Sequence, residues 1–493
     1  MKKFDGITME TTFFSSFGSC KTGARKPDRA KFGDKRPIYG FRFHNNWKFD
    51  RAVTPLLRVA SNIHGVDFYA DFNALAKQAR RPLTGIEADF IWLAVAVYLA
   101  DRCSPRYPYG TSGPAHWRRR IHLEIPVSDP SVWSGTEAAL AHALDFLTED
   151  DWTFEFLPGR TEFTAERQGH FRRMRGPEIE WTSLFSGGLD SIAGALQWLS
   201  GTDGVGLLVS GQTHARITAG QELQVAELRE QFPNRVEHVG IGYGFPDKNR
   251  HELDGFESTQ RTRAFMHTAL GSVIALMAGN SQLFLFENGF GALNLACDSA
   301  QFGSQNSRGT HPVFLRRMAA LVSAAFSKPF VIANPFTLST KAQMLSATSV
   351  RNFEKLLQKS FSCDRFPNYN HAQSQCGCCP SCLIRRLSFH ASGLHDDAKN
   401  YTIDIFRPCR PLRETDLLSL SKLTVQADSL ASCLRLKEPW SALCAKWPNL
   451  LRTELELNSP GLRDAFINLL RRHADEWRSF SSAVHSDSLL LAA

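Results

Sequence analysis

From residue 176 onward, apolar strand patterns alternate with helical patterns, and this order limits the fold more than any other feature. The short apolar runs that predict strands cover residues 179–185, 205–211, 235–242 and 282–289. The segments with apolar spacings of three and four, which predict helices, cover residues 190–200, 219–232 and 262–279. Strands that alternate with helices form a parallel sheet with helices on both faces. The sequence therefore predicts an α/β fold here.

The regions on either side of this pattern predict further domains. With 493 residues, the chain is too long for one ordinary core. Residues 1–38 are basic and irregular, which predicts an arm, and residues 39–175 mix helical and alternating patterns, which predicts an α+β domain. The α/β domain then covers 176–400, and a helical region covers 401–493. The arginine run at 118–120 predicts a solvated charged surface.

Within the α+β domain, four segments have a clear period. The predicted helices cover residues 86–102 and 136–150, and the predicted strands cover residues 118–129 and 151–158. No chemistry-bearing motif falls in this domain.

The composition is that of a globular protein with a small basic excess. The chain has 57 Lys and Arg residues against 49 Asp and Glu residues, a formal net charge of +8. This charge permits binding of polyanions such as ATP, RNA or DNA, and it is equally typical of a solvated surface. No apolar segment is long enough to span a bilayer, and no signal peptide is visible. We therefore expect a cytoplasmic protein without membrane contact, whose 11 cysteines are reduced.

The string SGGLDS, which begins at Ser186, joins the first predicted strand of the sheet to its first helix. Gly187 and Gly188 allow a sharp turn and close approach to a ligand, and the amides of the following helix favour an anion. Ser191 adds a hydroxyl donor, and Asp190 either caps the helix or helps to hold Mg²⁺. The GxxxxGK[ST] and GxGxxG spacings are absent. The string predicts a phosphate-binding loop of another type; a glycine turn without a ligand is the alternative.

A cluster of cysteines predicts a metal site. Cys376, Cys379 and Cys382 have the spacing C-x2-C-x2-C, and Cys363 lies thirteen positions before the first of them. Turns of this kind bring thiolates onto one ion, and four thiolates form a closed, structural Zn²⁺ site. Cys378 is a fifth, spare thiol. An Fe–S cluster, a redox CxxC pair and unbound cysteines are the alternatives.

These two motifs resemble those of a known group of enzymes. SGGLDS is similar to the SGGxDS motif of the PP-loop ATP pyrophosphatases, whose fold is adenine nucleotide α-hydrolase-like. The segment CGCCPSCLIR at 376–385 resembles the CGxCxxCxxR segment of the 7-cyano-7-deazaguanine synthase (QueC) family. The strings SGQTH, RTRAFMHTALGSVIA and STKAQML resemble further segments of that family. The resemblance implies structural Zn²⁺, ATP with Mg²⁺, and adenylation of a carboxylate with release of pyrophosphate.

The motifs and the resemblance together indicate the site residues. The catalytic candidates are Ser186, Asp190, Arg263 and Lys341. The ATP-binding candidates are Ser186, Gly187, Gly188, Leu189, Asp190, Ser191, Gln212 and His214. The substrate-binding candidates are Glu287 and Asn288, which follow a predicted strand, and Arg308 and His311, which lie in a loop rich in Ser, Asn and Gly. The metal ligands are Cys363, Cys376, Cys379 and Cys382.

Over its whole length the chain resembles the long QueC-like proteins of bacterial anti-phage operons, the QatC and type IV CBASS groups. The similar segments are Trp117 to Val127, Glu287 to Gly289 and Thr310 to Pro312. This resemblance implies a 7-deazaguanine-type carboxylate that is joined to ammonia or to a protein amine. It also implies a protein partner, which residues 1–175 are expected to bind.

Two other functions are consistent with the sequence. A tRNA-modifying PP-loop enzyme would suit the basic charge, although nucleic acid is not the favoured partner. Its thiolating members need a persulfide-bearing cysteine, for which Cys297 and Cys378 are the candidates. A non-catalytic ATP sensor or scaffold is the other alternative, and the intact SGGLDS string argues against it.

Overall fold

The computed structural model describes most of the chain beyond residue 82. The described residues are 10–13, 38–42, 56–60, 65–72, 75, 83–106, 118–159, 162–163, 178–245, 257, 259–297, 308–346, 353–366, 375–408 and 412–490. The strands are β1 (Glu10–Phe13), β2 (Ile38–Arg42), β3 (Leu56–Ala60), β4 (Gly65–Ala70), β5 (Leu83–Thr84), β6 (Arg120–Val127), β7 (Asp151–Pro158), β8 (Glu162–Phe163), β9 (Ile179–Leu184), β10 (Val205–Gln212), β11 (Val236–Gly244), β12 (Gln282–Phe284) and β13 (Val331–Ala333).

The helices come in the same chain order. They are α1 (Ile86–Arg102), α2 (Pro130–Thr148), α3 (Leu189–Gly201), α4 (Ala215–Gln231), α5 (Arg263–Met277), α6 (Gly289–Leu293), α7 (Pro312–Phe326), α8 (Lys341–Ser346), α9 (Phe353–Gln358), α10 (Pro380–Ser392), α11 (Glu414–Leu434), α12 (Pro439–Lys446), α13 (Asn449–Leu457) and α14 (Leu462–Leu490). Among the described residues, no helix has the length and apolar character needed to cross a bilayer.

The chain forms two compact units, each assembled from several stretches of sequence. The first comprises Met1–Arg175, Ile241–Val273 and Arg317–Phe330, and the second comprises Gly176–Gly240, Ile274–Arg316 and Val331–Ala493. The domain limits that the sequence predicts stay predictions.

The second unit contains the strands β13-β12-β9-β10, in that order, and the first part of β11, as far as Gly240. The pairs β13–β12, β12–β9 and β9–β10 are parallel. β10 is buried from Val205 to Ser210, as expected for a strand that is covered on both faces. Helix α3 contributes Ile192, Leu196 and Leu199 to the core under this sheet. The predicted α/β fold class is therefore confirmed.

In the first unit, a sheet of order β1-β2-β6-β7 packs against α1 and α2. Its strands are parallel except for β1, which pairs antiparallel with β2. In β6 the residues from Ile121 to Val127 alternate in burial over most of their length, so one face lies in the core. α1 is buried from Ala88 to Arg102, because its apolar residues surround the helix rather than forming one stripe.

The arginine run is solvated only in part, because Arg118 is exposed but Arg119 is not. Arg119 is fully buried, and its Nη2 lies 2.6 Å from both Asp101 Oδ1 and Asp150 Oδ2. Burial alone would raise the pKa of Asp101, but Arg119 and Arg106 outweigh it and lower this pKa to about 2. A run of arginines in the sequence does not show which of their side chains is buried in the fold.

Several predicted element limits are wrong, for local reasons. The helix predicted from 136 begins at Pro130, because Asp129 accepts a hydrogen bond from the Ser131 amide as N-cap. The strand predicted over 282–289 ends at Phe284, and Gly289 already belongs to α6. Strand β1 lies within the arm that was predicted to be irregular; residues 1–9 and 14–37 of that arm lie outside the described residues.

The helical C-terminal region predicted from the sequence forms α11 to α14. Leu430 of α11, Leu443 of α12 and Leu470 of α14 are buried in one cluster with Phe290 of α6. A second cluster joins Trp477 and other residues of α11 and α14 to the cysteines near residue 380. These helices therefore share their cores with the segments that carry the sequence motifs.

Candidate functional site

The SGGLDS string forms the turn between β9 and α3. Gly188 is the N-cap of α3 and has no side chain to cap the helix, while the first amide of α3, that of Leu189, donates a long hydrogen bond of 3.5 Å to the Ser362 hydroxyl. The hydroxyl of Ser186 accepts a hydrogen bond from the Gly188 amide at 3.2 Å and lies 3.2 Å from the Ser191 hydroxyl. Ser191 Oγ in turn donates to the Gly188 carbonyl at 3.0 Å. The turn therefore presents a helix N-terminus and two hydroxyls, which is a setting for an anion.

Gly187 is held in a conformation that other residues adopt at a cost. Its φ is +80°, and a Cβ at this position would lie 2.5 Å from Cζ of Phe361. Its carbonyl accepts hydrogen bonds from Nε2 of Gln224 at 3.0 Å and from the amide of Phe361 at 3.3 Å. The close contact and the positive φ together require glycine here.

Asp190 is the centre of a buried polar cluster. Lys341 Nζ lies 3.0 Å from Oδ2 of Asp190, and Asn288 Nδ2 donates to the same oxygen at 3.0 Å. Asn288 Nδ2 also donates to Oε1 of Glu287 at 2.9 Å. Within the described part of the chain, Oδ1 of Asp190 accepts no hydrogen bond from an amide, ammonium or hydroxyl group, although it is buried. The cluster brings together four residues that the sequence predicts for the site.

The charges in this cluster are set by burial and by the neighbours. Burial would raise the pKa of Asp190, but the ammonium of Lys341 and the hydrogen bonds outweigh it, so this pKa is lowered. Burial would lower the pKa of Lys341, but Asp190 and Glu287 raise it. Burial and the adjacent Asp190 charge both raise the pKa of Glu287 well above its usual value. Lys341 therefore favours the charged form of Asp190, and Asp190 in turn disfavours the charged form of Glu287.

Gln212 and His214 lie beyond β10 in positions with local roles. The side-chain amide of Gln212 covers Gly240 of β11, where a Cβ would come within 2.3 Å of Nε2. His214 is the N-cap of α4, and its Nδ1 accepts a hydrogen bond from the Arg216 amide at 3.1 Å. The structure thus gives the His214 ring a capping role, which leaves only Nε2 for another partner.

Arg263 is the first residue of α5 and belongs to the first unit, whereas Asp190 belongs to the second. It is exposed, and its charge acts on buried neighbours of its own unit. Burial and, to a smaller extent, Arg263 lower the pKa of His267 to about 3, whereas burial raises the pKa of Tyr98 against the opposing effect of the nearby arginines.

His311 has a capping role at the start of α7. Its Nδ1 accepts a hydrogen bond from the Val313 amide at 3.2 Å, and its Nε2 lies 3.4 Å from Oγ1 of Thr453. Burial, together with the charges of Arg308 and Arg452, lowers the pKa of His311 to about 3. Both ring nitrogens are therefore engaged inside the protein, so this side chain fits a structural role better than substrate contact. The amide of His311 also donates to the Arg308 carbonyl at 3.1 Å.

The four predicted metal ligands form one buried group. The Sγ atoms of Cys363, Cys376, Cys379 and Cys382 all lie within 4.8 Å of one another. The pairs Cys376–Cys382 and Cys363–Cys379 have Sγ separations of 3.9 Å. A tetrahedral ion with metal–sulfur bonds of about 2.3 Å would separate the sulfurs by about 3.8 Å. The geometry is consistent with zinc.

The backbone around these thiols supports the same conclusion. The amides of Cys376 and Cys379 donate to the Sγ atoms of Cys363 and Cys376 at 3.4 and 3.3 Å, as expected for thiolate ligands. Gly377 has a φ of +87°, and a Cβ there would lie 2.0 Å from the Ile403 carbonyl. Cys378 lies outside the group of four, with its Sγ 3.9 Å from that of Cys376.

Sequence reasoning missed several residues that support the SGGLDS turn. Nε2 of Gln221 donates to the Ser186 carbonyl at 3.2 Å, and Gln224 contacts the next residue of the loop. Both glutamines are buried, and they lie three positions apart on the face of α4 that also carries Val225 and Leu228. Two amides on an otherwise apolar helical face are a signal that could have been used.

Comparison with known proteins gives partial matches. Residues 304–393 match the family model of the queuosine biosynthesis protein QueC. The 7-cyano-7-deazaguanine synthases of two strains of Methanococcus maripaludis are each 23% identical to the chain over 239 residues, which is 44% of this chain and 96% of the relative. The chain is therefore QueC-like over less than half of its length.

Proposed function

We propose that the second unit is an ATP-dependent carbon–nitrogen ligase that adenylates a 7-deazaguanine-type carboxylate and releases pyrophosphate. A nitrogen nucleophile then displaces AMP and an amide forms. The observation that carries this proposal is the buried cluster around Asp190, which is itself a residue of the SGGLDS string. The similarity to 7-cyano-7-deazaguanine synthases supports the same reaction class and the same kind of substrate.

The turn is suited to the phosphates of ATP. The amides at the start of α3, with the hydroxyls of Ser186 and Ser191, would bind the charged oxygens. The ammonium of Lys341 adds a positive charge at the side of the loop, next to Asp190. Fixed donors of this kind stabilise charge that develops on the leaving pyrophosphate without needing to reorganise.

Asp190 is also suited to Mg²⁺. Its carboxylate is buried, and a carboxylate oxygen is the ligand that Mg²⁺ prefers. When bound, Mg²⁺ would neutralise phosphate charge. Asn288 and Lys341 hold the other oxygen of Asp190 and so fix the direction in which Oδ1 points.

The acceptor and the biological setting rest on the resemblance to the long QueC-like proteins. We propose ammonia or a protein amine as the nitrogen nucleophile, a protein partner from the same operon that residues 1–175 bind, and a role in anti-phage defence. Arg263 is proposed to act on phosphate, and Arg308 with Glu287 and Asn288 on the substrate. His311 is not part of this proposed substrate site, because both of its ring nitrogens have partners.

The test is pyrophosphate release from ATP and Mg²⁺, with and without 7-carboxy-7-deazaguanine. We expect release that depends on the carboxylate. Asp190→Asn should lower the rate by about 100-fold or more, because it removes a fixed charge from the site. Asp203→Asn is the matched control, since Asp203 is an exposed aspartate of the same unit, and it should leave the rate unchanged.

Two results would contradict the proposal. ATP binding without any carboxylate-dependent release would indicate a sensor or a different substrate, such as a tRNA. Release that is equally fast in Asp190→Asn and in Asp203→Asn would show that the cluster around Asp190 is not the site of the reaction.

A further inference from the structure

The last helix of the chain, α14, contacts the segment that carries Lys341. The hydroxyl of Thr340 donates to Oε1 of Glu476 at 2.6 Å, and Nη2 of Arg472 donates to the Leu338 carbonyl at 2.9 Å. Both α14 residues lie outside the region 304–393 that matches the QueC family model. These contacts therefore support the Lys341 segment with side chains that the matched region does not contain.

α14 also contacts the other segment that supplies the cluster around Asp190. The ring of His473 stacks on Phe290 with the centroids 3.4 Å apart. Gly289 packs so closely that a Cβ would lie 2.8 Å from Leu469 of α14 and 2.0 Å from the Thr337 carbonyl. The Gly289 amide donates to the carbonyl of Ser339 at 2.8 Å. Helix α14 thus contacts two loops. In each loop, the residue next to the contact is a partner of Asp190: Asn288 precedes Gly289, and Lys341 follows Thr340.

Thr340 connects helix α14 to Lys341, the next residue in the chain. It is 1% exposed, and it forms a reciprocal cap with Gln343: its amide donates to Oε1 of Gln343 at 3.0 Å, and its Oγ1 accepts from the Gln343 amide at 3.2 Å. With that bond accepted, the Thr340 hydroxyl proton is directed at Glu476. Lys341 follows immediately, so the cap fixes the backbone from which its side chain reaches Asp190.

We infer that Glu476 is a positioning residue for the proposed reaction: through the hydroxyl of Thr340 it holds Lys341 against Asp190, and the C-terminal helix is thereby part of the catalytic unit. The inference rests on the proposed function for its effect on turnover. Its effect on the placement of Lys341 does not depend on that function.

The first test measures the placement of Lys341 without reference to activity. An N-hydroxysuccinimide ester labels accessible amines, and peptide mass spectrometry gives the labelling rate of each lysine. We expect Lys341 to label at least about 10-fold faster in Glu476→Ala and in Thr340→Val than in the wild type, because its ammonium is otherwise paired and mostly buried. Thr340→Ser keeps the hydroxyl group, so in this variant Lys341 should label as slowly as in the wild type.

Two internal controls separate positioning from a loss of fold. Lys359 pairs with Glu227 elsewhere in the same unit, and its labelling rate should not change in any of these variants. Asp475→Asn alters the neighbouring carboxylate on α14, which is exposed and paired with Arg478, and it should leave the labelling of Lys341 unchanged. Unchanged labelling of Lys341 in Glu476→Ala would overturn the inference.

The second test measures pyrophosphate release. We expect Glu476→Ala and Thr340→Val each to lower kcat by about 10- to 100-fold with a smaller change in KM for ATP, because a displaced charge acts on the transition state more than on binding. The double variant should be no slower than the slower single variant. A normal kcat in Glu476→Ala, with Asp190→Asn inactive, would refute the role of Glu476 alone. Full activity in Asp190→Asn would instead refute the proposed function.

Discussion

Replacement of Lys341 by methionine tests the electrostatics of the cluster most directly. Lys341 and Asp190 are 14% and 8% exposed, and 3.0 Å separates Nζ from Oδ2. At that distance and at an effective dielectric constant of about 20, the attraction between the two charges is about 5.5 kcal/mol. Methionine keeps the length and much of the volume of the side chain but leaves the anion of Asp190 beside Glu287 without a cation. We expect the free energy of unfolding to fall by about 3–5 kcal/mol at pH 7.

The assay is equilibrium unfolding in urea, followed by tryptophan fluorescence, for Lys341→Met, Asp190→Asn and the double variant. Because the double variant removes both charges, we expect it to be less destabilised than the sum of the two single variants by about 2 kcal/mol or more. Additive losses would refute the pair as an electrostatic unit. So would a loss of less than about 1 kcal/mol in Lys341→Met, the range of an exposed ion pair.

The difference between Lys341→Met and the wild type should depend on pH at both ends of the range. The folded pKa of Asp190 is lowered, so its stabilising effect is present above the unfolded pKa and is lost as the pH falls through the folded value. The folded pKa of Lys341 is raised, so its effect is present below the unfolded pKa and is lost as the pH rises through the folded value. The difference should therefore be largest near neutral pH and should shrink below about pH 4 and above about pH 10.5.

Three further changes test the loop, the cysteines and a buried histidine. Gly187→Ala should cost about 1–2 kcal/mol from the positive φ alone and should weaken ATP binding in calorimetry, whereas Gly201→Ala, with open space around it, should bind ATP normally. Cys382→Ser should abolish stoichiometric zinc in elemental analysis and Cys378→Ser should retain it; iron in place of zinc would contradict the assignment. Burial lowers the pKa of His473 to about 3. The free energy of unfolding should therefore fall steadily as the pH falls from the unfolded value of about 6.5 toward the folded value, because only the unfolded state then binds the proton. His473→Phe should therefore reduce the loss of stability in urea between pH 6.5 and 5 by up to about 1.4 kcal/mol per pH unit, and an unchanged slope would contradict this.

The parts of the fold that the sequence predicts are those with a local period. β10 and α3 have continuous or helical apolar patterns, and their limits differ from the predicted ones by one residue at each changed end. The rule that parallel strands end at one edge of a sheet predicts Glu287 and Asn288 as site residues, and the structure places both beside Asp190. That reasoning uses topology rather than any contact, so it gave the neighbourhood of the residues but not their hydrogen bonds.

Long-range partners could not be predicted from local patterns. Glu476 and Thr340 lie 136 positions apart, and although Thr340 stands in the STKAQML string, nothing in the sequence links that string to Glu476. His311 is a different case, because the sequence indicates its role. His311 precedes Pro312, and proline is favoured at the first position of a helix, so this histidine stands where an N-cap belongs. The capping role of His214 is not visible in the sequence, because the predicted helix begins at residue 219 and Asn, Asp, Ser and Thr, rather than histidine, are the usual caps.

The segment from Lys359 to Cys363 explains why the cysteine cluster and the phosphate loop occur in one unit. The carbonyl of Lys359 accepts a hydrogen bond from Gln224, the same amide that donates to the loop carbonyl of Gly187. Two residues after Lys359, the ring of Phe361 covers that glycine, and Cys363 is itself one of the four clustered thiols. An ion on the thiols would fix one end of a five-residue segment whose other end holds the loop. A metal ion bound there would therefore set the loop geometry without taking part in the chemistry, as expected for a closed four-thiolate site.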